Sequence, residues 1–325
     1  MSEKLRVLWT HNFNPEIKNK GNFIYPLIPF LEEENIQLEL LYLGQLFSPI
    51  QIVKALIKLN KVKHNYDVIH GQYGSICALV SMLGGIGVPK VISLRGSDWN
   101  IHRQSFNKAF IHSVLAHFFT LISLPFFNKI IMVSNRMKNT LPMKQRSKTS
   151  VMPTAINLDA WKIKSSSQIS GEERNILFVA QNVNSPIKGR VLLDEVKEIL
   201  HKEPIKYNIN IAQNILFKDM PEFVRKHDII LCLSQNEGWP NSVKEALACN
   251  IPFVATDVSD LKEIANQEDT CFICEPNPLD VVEKIKLSFS APRENLNLRK
   301  HVELMDVKVS AKRMKKLYLN LIETK

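Results

Sequence analysis

Two carboxylates, Glu237 and Glu245, lie in the stretch SQNEGWPNSVKEALACNIPFVATD that runs from Ser234 to Asp257. Glu237 precedes Gly238 and Pro240, so it sits where the backbone bends. Pro240 suits a position at or just before a helix start, and Asn241 or Ser242 can cap the exposed amides. Val243, Ala246 and Leu247 recur at helical spacing, so that face of the helix is expected to be buried. Asn250 and Pro252 end the helix, and IPFVATD reads as a buried strand of the parallel kind. The two acids flank a helix N-terminus that opens beside strand ends, which is a place for an anion. A second loop supplies a cation. ILFVAQNVNSPIKGRVLL reads as strand, loop and helix, with Lys188-Gly189 at the helix opening. A lysine there opposes the helix dipole unless an anion lies between them. Together these residues suggest a diphosphate held without metal. Lys188 supplies charge, the backbone amides of Asn241, Ser242 and Val243 supply hydrogen bonds, and Glu245 accepts a pair of hydroxyls such as those of a ribose. The plainer reading of Lys188 and Glu245 is a solvated surface.

The rest of the chain narrows the chemistry mainly by what it lacks. There is no D-x-D pair to hold a metal under a diphosphate, no Walker P-loop, no G-x-G-x-x-G after a strand, no G-x-S-x-G and no H-E-x-x-H. Most hydrolases, ATPases and nicotinamide enzymes lose weight accordingly. GGIGVPK at 84–90 precedes a strand and reads as a turn. Five cysteines among apolar neighbours read as reduced core thiols of a cytosolic protein, and the lone Cys271-x-x-Cys274 has no second pair to complete a metal site. No signal peptide is expected, because MSEKLRVLWT goes directly into a strand-like run. The net charge of +10 is uneven: residues 1–160 hold 18 Lys+Arg against 9 Asp+Glu, while residues 161–325 hold 24 against 23. A basic first half suits an anionic membrane surface. No aromatic-basic interleaving points to nucleic acid, and none is expected as a partner. The uncharged run 109–127 approaches a membrane span in length, but His112, His117 and Pro125 interrupt it, so it reads as a buried or interfacial helix.

Strand-like and amphipathic helical runs alternate throughout the 325 residues, which predicts two parallel α/β sheets with helices on both faces. The hydrophilic stretch KIKSSSQISGEER marks a linker between 157 and 174. The expected division is a first Rossmann-like domain at 1–160, a second at 161–305, and a basic amphipathic C-terminal helix at 306–325 packing back towards the first. Ligands of such sheets bind at the carboxyl ends of strands, and two facing domains would make a central cleft.

EGWPNSVKEALACNIPFVATDV resembles, over its whole length, the E-x7-E segment of the retaining glycosyltransferases of family 4, which have the GT-B fold. Looser likenesses are the Gly21 loop, YDVIHGQYG, PTAINLDAW and VSAKRMKKLYLNLI. The resemblance implies a UDP- or GDP-linked sugar donor in the second domain, a glycan or lipid-linked acceptor in the first, and no metal or further cofactor. Glu245 would bind the ribose and Glu237 the donor sugar hydroxyls. Gly238, Trp239, Asn241, Ser242 and Val243 would contact sugar and phosphates, Lys188 the diphosphate, and Gly21 with Asn22 the glycine turn. Two departures stand out. Gln181 and Asn182 occupy a place where an arginine is common, with Arg190 as a possible substitute. Arg95, in SLRGSDWN, stands where many members carry a histidine. The catalytic set is thus Glu237, Lys188 and Arg95, with Asp98 and His70 as acceptor contacts and His11 as a weaker one; a helix cap is the alternative for Asp98. The implied setting is synthesis of a surface polysaccharide or glycolipid in the cytoplasm, at the inner face of the plasma membrane. The rivals are a nucleotide-sugar epimerase or hydrolase on the same plan, and a non-catalytic partner subunit that keeps the fold.

Overall fold

The computed structural model describes residues 4–14, 16, 21, 23–101, 108–164, 173–180, 186–213 and 215–323. The chain divides into two units, one formed by 1–155 with 307–325 and the other by 156–306. In chain order the first contains β1 (Leu5–His11), α1 (Ile28–Glu33), β2 (Ile36–Tyr42), α2 (Pro49–Val62), β3 (Val68–Gly71), α3 (Ser75–Gly84), β4 (Lys90–Leu94), α4 (Lys108–Ser123), β5 (Lys129–Met132), α5 (Asn135–Asn139), α6 (Met143–Arg146) and β6 (Thr149–Val151). The second contains β7 (Glu173–Val179), α7 (Arg190–Leu200), β8 (Lys206–Ala212), α8 (Met220–Arg225), β9 (Ile229–Cys232), α9 (Asn241–Ala248), β10 (Phe253–Thr256), α10 (Leu261–Ala265), β11 (Phe272–Cys274) and α11 (Pro278–Ser290). The last helix, α12 (Val307–Glu323), belongs to the first unit.

Both sheets are parallel and share one topology. The first runs β2-β1-β3-β4-β5-β6 and the second β11-β10-β9-β7-β8. In each, the chain moves outward from the opening strand to one side and then returns to its other side. The reversal leaves a crevice at the carboxyl ends of β1 and β3 in one unit, and of β7 and β9 in the other. Strand composition follows from burial on both faces: β3, β9 and β10 are buried at every position and carry few polar side chains. Helix starts follow local chemistry. Ser48 caps α2 by accepting from the Gln51 amide with Pro49 at the first position, and Asn277 caps α11 in the same way with Pro278 behind it. Helix α7 buries Leu193, Val196 and Leu200 against the second sheet, each contributing about 1.5–3 kcal/mol.

A buried chain of hydrogen bonds fixes α12 to the first sheet. Trp9 Nε1 donates to the Tyr318 hydroxyl at 2.9 Å. Indole only donates, so the Tyr318 proton is free to go to His70 Nδ1 at 2.6 Å, and His70 Nε2–H then donates to Ser93 Oγ at 2.8 Å. Burial holds the His70 imidazole well below its usual range, which keeps it neutral and suits this relay. His70 has no accessible surface and both ring nitrogens are engaged, so the expected acceptor contact is instead a structural tie between β3, β4 and α12.

The expected linker also needs correcting in part. Trp161 is buried and Lys164 is almost fully so. Lys164 Nζ pairs with Asp228 Oδ1 at 2.8 Å and donates to the His227 carbonyl at 2.8 Å, while Asp228 Oδ2 accepts from the Asn175 amide. The hydrophilic run thus contains a buried ion pair that locks the entry of the second unit onto the start of β9. Residues 165–172 lie outside the described residues.

Removing one partner of such a pair strands a buried charge. Lys164→Met is expected to cost about 3–5 kcal/mol in urea unfolding, whereas Lys162→Met, two residues away and exposed, should change stability by about 0.5 kcal/mol or less. Equal effects from the two would contradict the assignment.

Candidate functional site

The crevice of the second unit is built by two loops held edge to edge. After β7 a short turn, Pro186–Lys188, leads to Gly189 at the opening of α7. Gly189 has φ +75°, and a Cβ there would stand 2.2 Å from the Leu233 carbonyl oxygen at the end of β9. Only glycine permits both the left-handed backbone and that approach. The Gln235 amide donates to the Ile187 carbonyl at 2.9 Å, and Lys188 Nζ forms an ion pair with Glu237 Oε1. Glu237 also accepts from Ser234 Oγ at 2.8 Å. The side chains remain 36% and 17% exposed for Lys188 and Glu237, so a ligand can reach both.

Beyond Glu237 the loop turns into α9. Ser259 Oγ donates to the Gly238 carbonyl at 2.7 Å, and Trp239 is buried, so these two residues shape the loop from beneath. Pro240 is the N-cap, and among the described residues no side chain caps the helix. Asn241, expected to cap, is the first helical residue, and its Oδ1 accepts from Lys244 Nζ at 2.9 Å. The first intrahelical bond runs from the Lys244 amide to the Pro240 carbonyl. The amides of Asn241, Ser242 and Val243 therefore have no acceptor within the helix, and the positive end of the dipole points the same way. Glu245 lies on the second turn. Burial pushes its carboxyl up to about 7, with neighbouring Lys244 pulling the other way. Burial thus favours the neutral form relative to an exposed glutamate, and the carboxyl oxygens remain suited to receive hydroxyl donors.

The structure thus brings Lys188, Glu237, Gly238, Trp239, Asn241, Ser242, Val243 and Glu245 to one edge of one sheet. Gly21, Arg95, Asp98, His70 and His11 belong to the other unit. Gly21 makes a turn with φ +76°, its missing Cβ facing Phe13. Asn22, Gln181 and Asn182 lie outside the described residues. Arg190 pairs with Asp194 one turn along its own helix. Asp98 has no accessible surface, and its carboxylate accepts from the amides of Gly74 (2.8 Å), Arg95 (2.9 Å) and Gly96 (2.9 Å). It ties its own loop after β4 to Gly74 at the start of α3, and is not free to meet an acceptor. Ser234 was missed by sequence reasoning, although its place three residues before Glu237 in an S-x-x-E pattern is a signal for such a bond. All five cysteines are buried and unpaired, and burial pushes each thiol up to about 12.

In the ligand-free protein, carboxyl NMR of Glu245 is expected to show a midpoint near 7, absent from Glu245→Gln. Titration in the ordinary glutamate range, about 4.3, would contradict the burial assigned here.

Residues 161–304 match the family described as glycosyl transferases group 1. An uncharacterized glycosyltransferase of Methanocaldococcus jannaschii is 27% identical over 243 residues, spanning 67% of this chain and 64% of that protein. By structure, the sucrose-phosphate synthase of Thermosynechococcus elongatus superposes with a TM-score of 0.79 at 13% identity, covering 99% of this chain and 100% of that one. HepE of Anabaena, solved with UDP and glucose, gives a TM-score of 0.65 at 13% identity over 98% of this chain and 99% of that one. The chain has the two Rossmann-like parallel sheets of the GT-B fold, and its second unit is similar in sequence to the glycosyl transferases of group 1.

Proposed function

We propose that this protein is a metal-independent retaining glycosyltransferase that moves a sugar from a nucleoside diphosphate donor to a glycan or lipid-linked acceptor. One observation carries the reading. At the β7/β9 crevice a cation, a carboxylate it can release, and three uncapped amides meet at the edge where such sheets bind nucleotides. The match to glycosyl transferases group 1 and the UDP-bound neighbour support it.

In the proposed cycle the diphosphate displaces Glu237 from Lys188. Lys188 then holds the phosphates, and the amides of Asn241, Ser242 and Val243 donate to them. The freed Glu237 carboxylate accepts from donor sugar hydroxyls, while Glu245 accepts from the ribose. The bond between the anomeric carbon and the diphosphate oxygen breaks as the acceptor hydroxyl attacks from the same face. The hydroxyl proton passes to the departing phosphate oxygen, so the glycoside and nucleoside diphosphate leave together. Charge grows on the leaving group, where Lys188 and the helix end are already oriented. Synthesis of a surface polysaccharide or glycolipid is the setting we assign. Turnover of donor without acceptor would indicate the epimerase or hydrolase instead. Nucleotide binding without any transfer would indicate a non-catalytic subunit.

Three substitutions separate the roles. Glu245→Ala should weaken binding of the free nucleoside diphosphate about tenfold or more, through a lost charge-assisted hydrogen bond. Glu237→Ala should leave that affinity unchanged or tighter, because Lys188 loses its competitor, while transfer collapses. Lys188→Ala should harm both. Calorimetry with the bare nucleotide and a transfer assay in excess chelator read all of these. Normal behaviour of all three variants, or complete and reversible loss of activity on chelation, would refute the site as drawn.

A lipid surface is part of the proposal, because α4 is patterned inside out. It packs on α3. Buried on α4 are the small polar residues Ser113, Thr120 and Ser123, while Ile111, Leu115, Phe118 and Ile122 are exposed. A helix of an ordinary water-facing surface shows the reverse. Between Asp98 and Asp159 there is no acidic residue and there are eight Lys or Arg. An apolar stripe in a basic surround matches an anionic bilayer lying against the helix. Among the described residues no helix is long and apolar enough to cross a membrane. The protein should bind vesicles containing phosphatidylglycerol at low salt and release at high salt, and Phe118→Asp should weaken that binding. Equal partition onto neutral and anionic vesicles would contradict it.

A further inference from the structure

The first sheet has its own crevice, and its polar groups are unsatisfied. Among the described residues, seven buried side-chain polar atoms lack a hydrogen-bond partner, and four of them cluster in chain and space: His11 Nδ1, Asn12 Oδ1, Gln72 Nε2 and Arg95 Nε. His11 is the last residue of β1, and Asn12, Gln72 and Arg95 follow directly on the carboxyl ends of β1, β3 and β4. The Gln72 amide also ties to β1, its backbone N–H donating to the Thr10 carbonyl at 2.9 Å. Buried polar atoms without partners are uncommon in folded proteins, and four at one switch point call for an explanation.

The orientation of two of these groups is fixed. Arg95 Nη2 donates to Gln72 Oε1 at 2.7 Å. Guanidinium only donates, so the Gln72 oxygen must face Arg95, and the orphan on Gln72 is its NH2 group. The orphan on Arg95 is Nε–H. Two neighbouring donors, one on a cation, therefore lack acceptors. The cation itself has no ion-pair partner among the described residues, since the nearby Asp98 carboxylate is spent on backbone amides. Its guanidinium stacks over Phe23 at 4.9 Å. Phe13 packs against Phe23 at 5.1 Å, Tyr73 at 5.4 Å and His11 at 6.1 Å, which puts aromatic surface and the His11 and Asn12 groups beside the same cation. A part-buried guanidinium next to a buried amide group that lacks an acceptor, walled by aromatic rings, is complementary to an oxyanion on a ring-shaped, hydroxyl-bearing molecule.

We propose that Arg95 and Gln72 form an oxyanion subsite, in which they bind a carboxylate or phosphate borne by the sugar acceptor. Asn12 Oδ1 and His11 Nδ1 take its hydroxyls. The word acceptor rests on the transferase reading; the binding of an anionic sugar does not.

The test uses the full chain without donor. Ligand-observed NMR titrations compare D-glucuronate and glucose 1-phosphate with neutral methyl glucoside, and calorimetry follows UDP and GDP. Both anionic sugars are expected to bind about tenfold or more tightly than the neutral one, as a charge-assisted pair of hydrogen bonds requires. Preference for one anionic probe over the other identifies carboxylate or phosphate as the natural group. Arg95→Met should bring both down to the neutral level and leave UDP and GDP affinity unchanged. Gln72→Glu is the second variant. It places a carboxylate on Arg95 from within, so anion binding should vanish while thermal stability is kept or raised. Equal binding of neutral and anionic sugars overturns the proposal, as does retained anion binding in Gln72→Glu. A parallel loss of UDP or GDP affinity in Arg95→Met overturns it too, because the anion would then be the nucleotide's own diphosphate. The transferase reading fails separately, in the Glu237 and Lys188 variants.

Discussion

The approach of Gly189 to the Leu233 carbonyl is the constraint on which the second unit's site depends. A residue with a side chain would collide there and force the α7 opening away from the end of β9. With glycine, the turn ending at Lys188 lies along the loop after β9, the Gln235 amide reaches the Ile187 carbonyl, and Lys188 meets Glu237. The strand order makes this crevice and the glycine closes its floor. The uncapped start of α9 then faces a cation already held in place. Pre-orientation of this kind matters more than the number of contacts, because groups fixed before the ligand arrives need not reorganise during reaction.

The two units solve the same topology with opposite electrostatic outcomes. In the second, the cation at the crevice is paired with a carboxylate, which neutralises it until a stronger anion comes. In the first, Arg95 has no such partner among the described residues, and the buried Gln72 amide donor lacks an acceptor. The nearby Asp98 carboxylate is turned inward to hold the amides of Gly74, Arg95 and Gly96. Deeper in that sheet the Trp9, Tyr318, His70 and Ser93 side chains satisfy one another. Satisfaction below and deficiency at the strand ends is the pattern expected of a scaffold with a binding face.

Local chemistry made much of this legible in the sequence. The alternation of strands and helices announced two parallel sheets, and Gly-Trp-Pro followed by helical spacing placed α9 to within a residue. Three features were not legible because each depends on a distant partner. Lys164 looked like linker until Asp228 was found against it. His70 looked available because nothing in YDVIHGQYG announces Tyr318, 248 positions away. The inside-out pattern of α4 was hidden because an uncharged run of apolar and small polar residues does not reveal which face packs on α3. Asn241 shows a subtler limit: it has the right residue type for a cap, but Pro240 takes that position and Lys244 takes its side chain.

Hydrogen–deuterium exchange of the full chain, with and without saturating UDP or GDP, tests the central claim most directly. The account expects slowed exchange at the amides of Asn241, Ser242 and Val243, which lack intrahelical acceptors and gain phosphate oxygens, and in the segment around Lys188. The interior of α7 should be unaffected. Nucleotide binding that leaves the start of α9 exchanging as fast as before, with protection elsewhere, would contradict it.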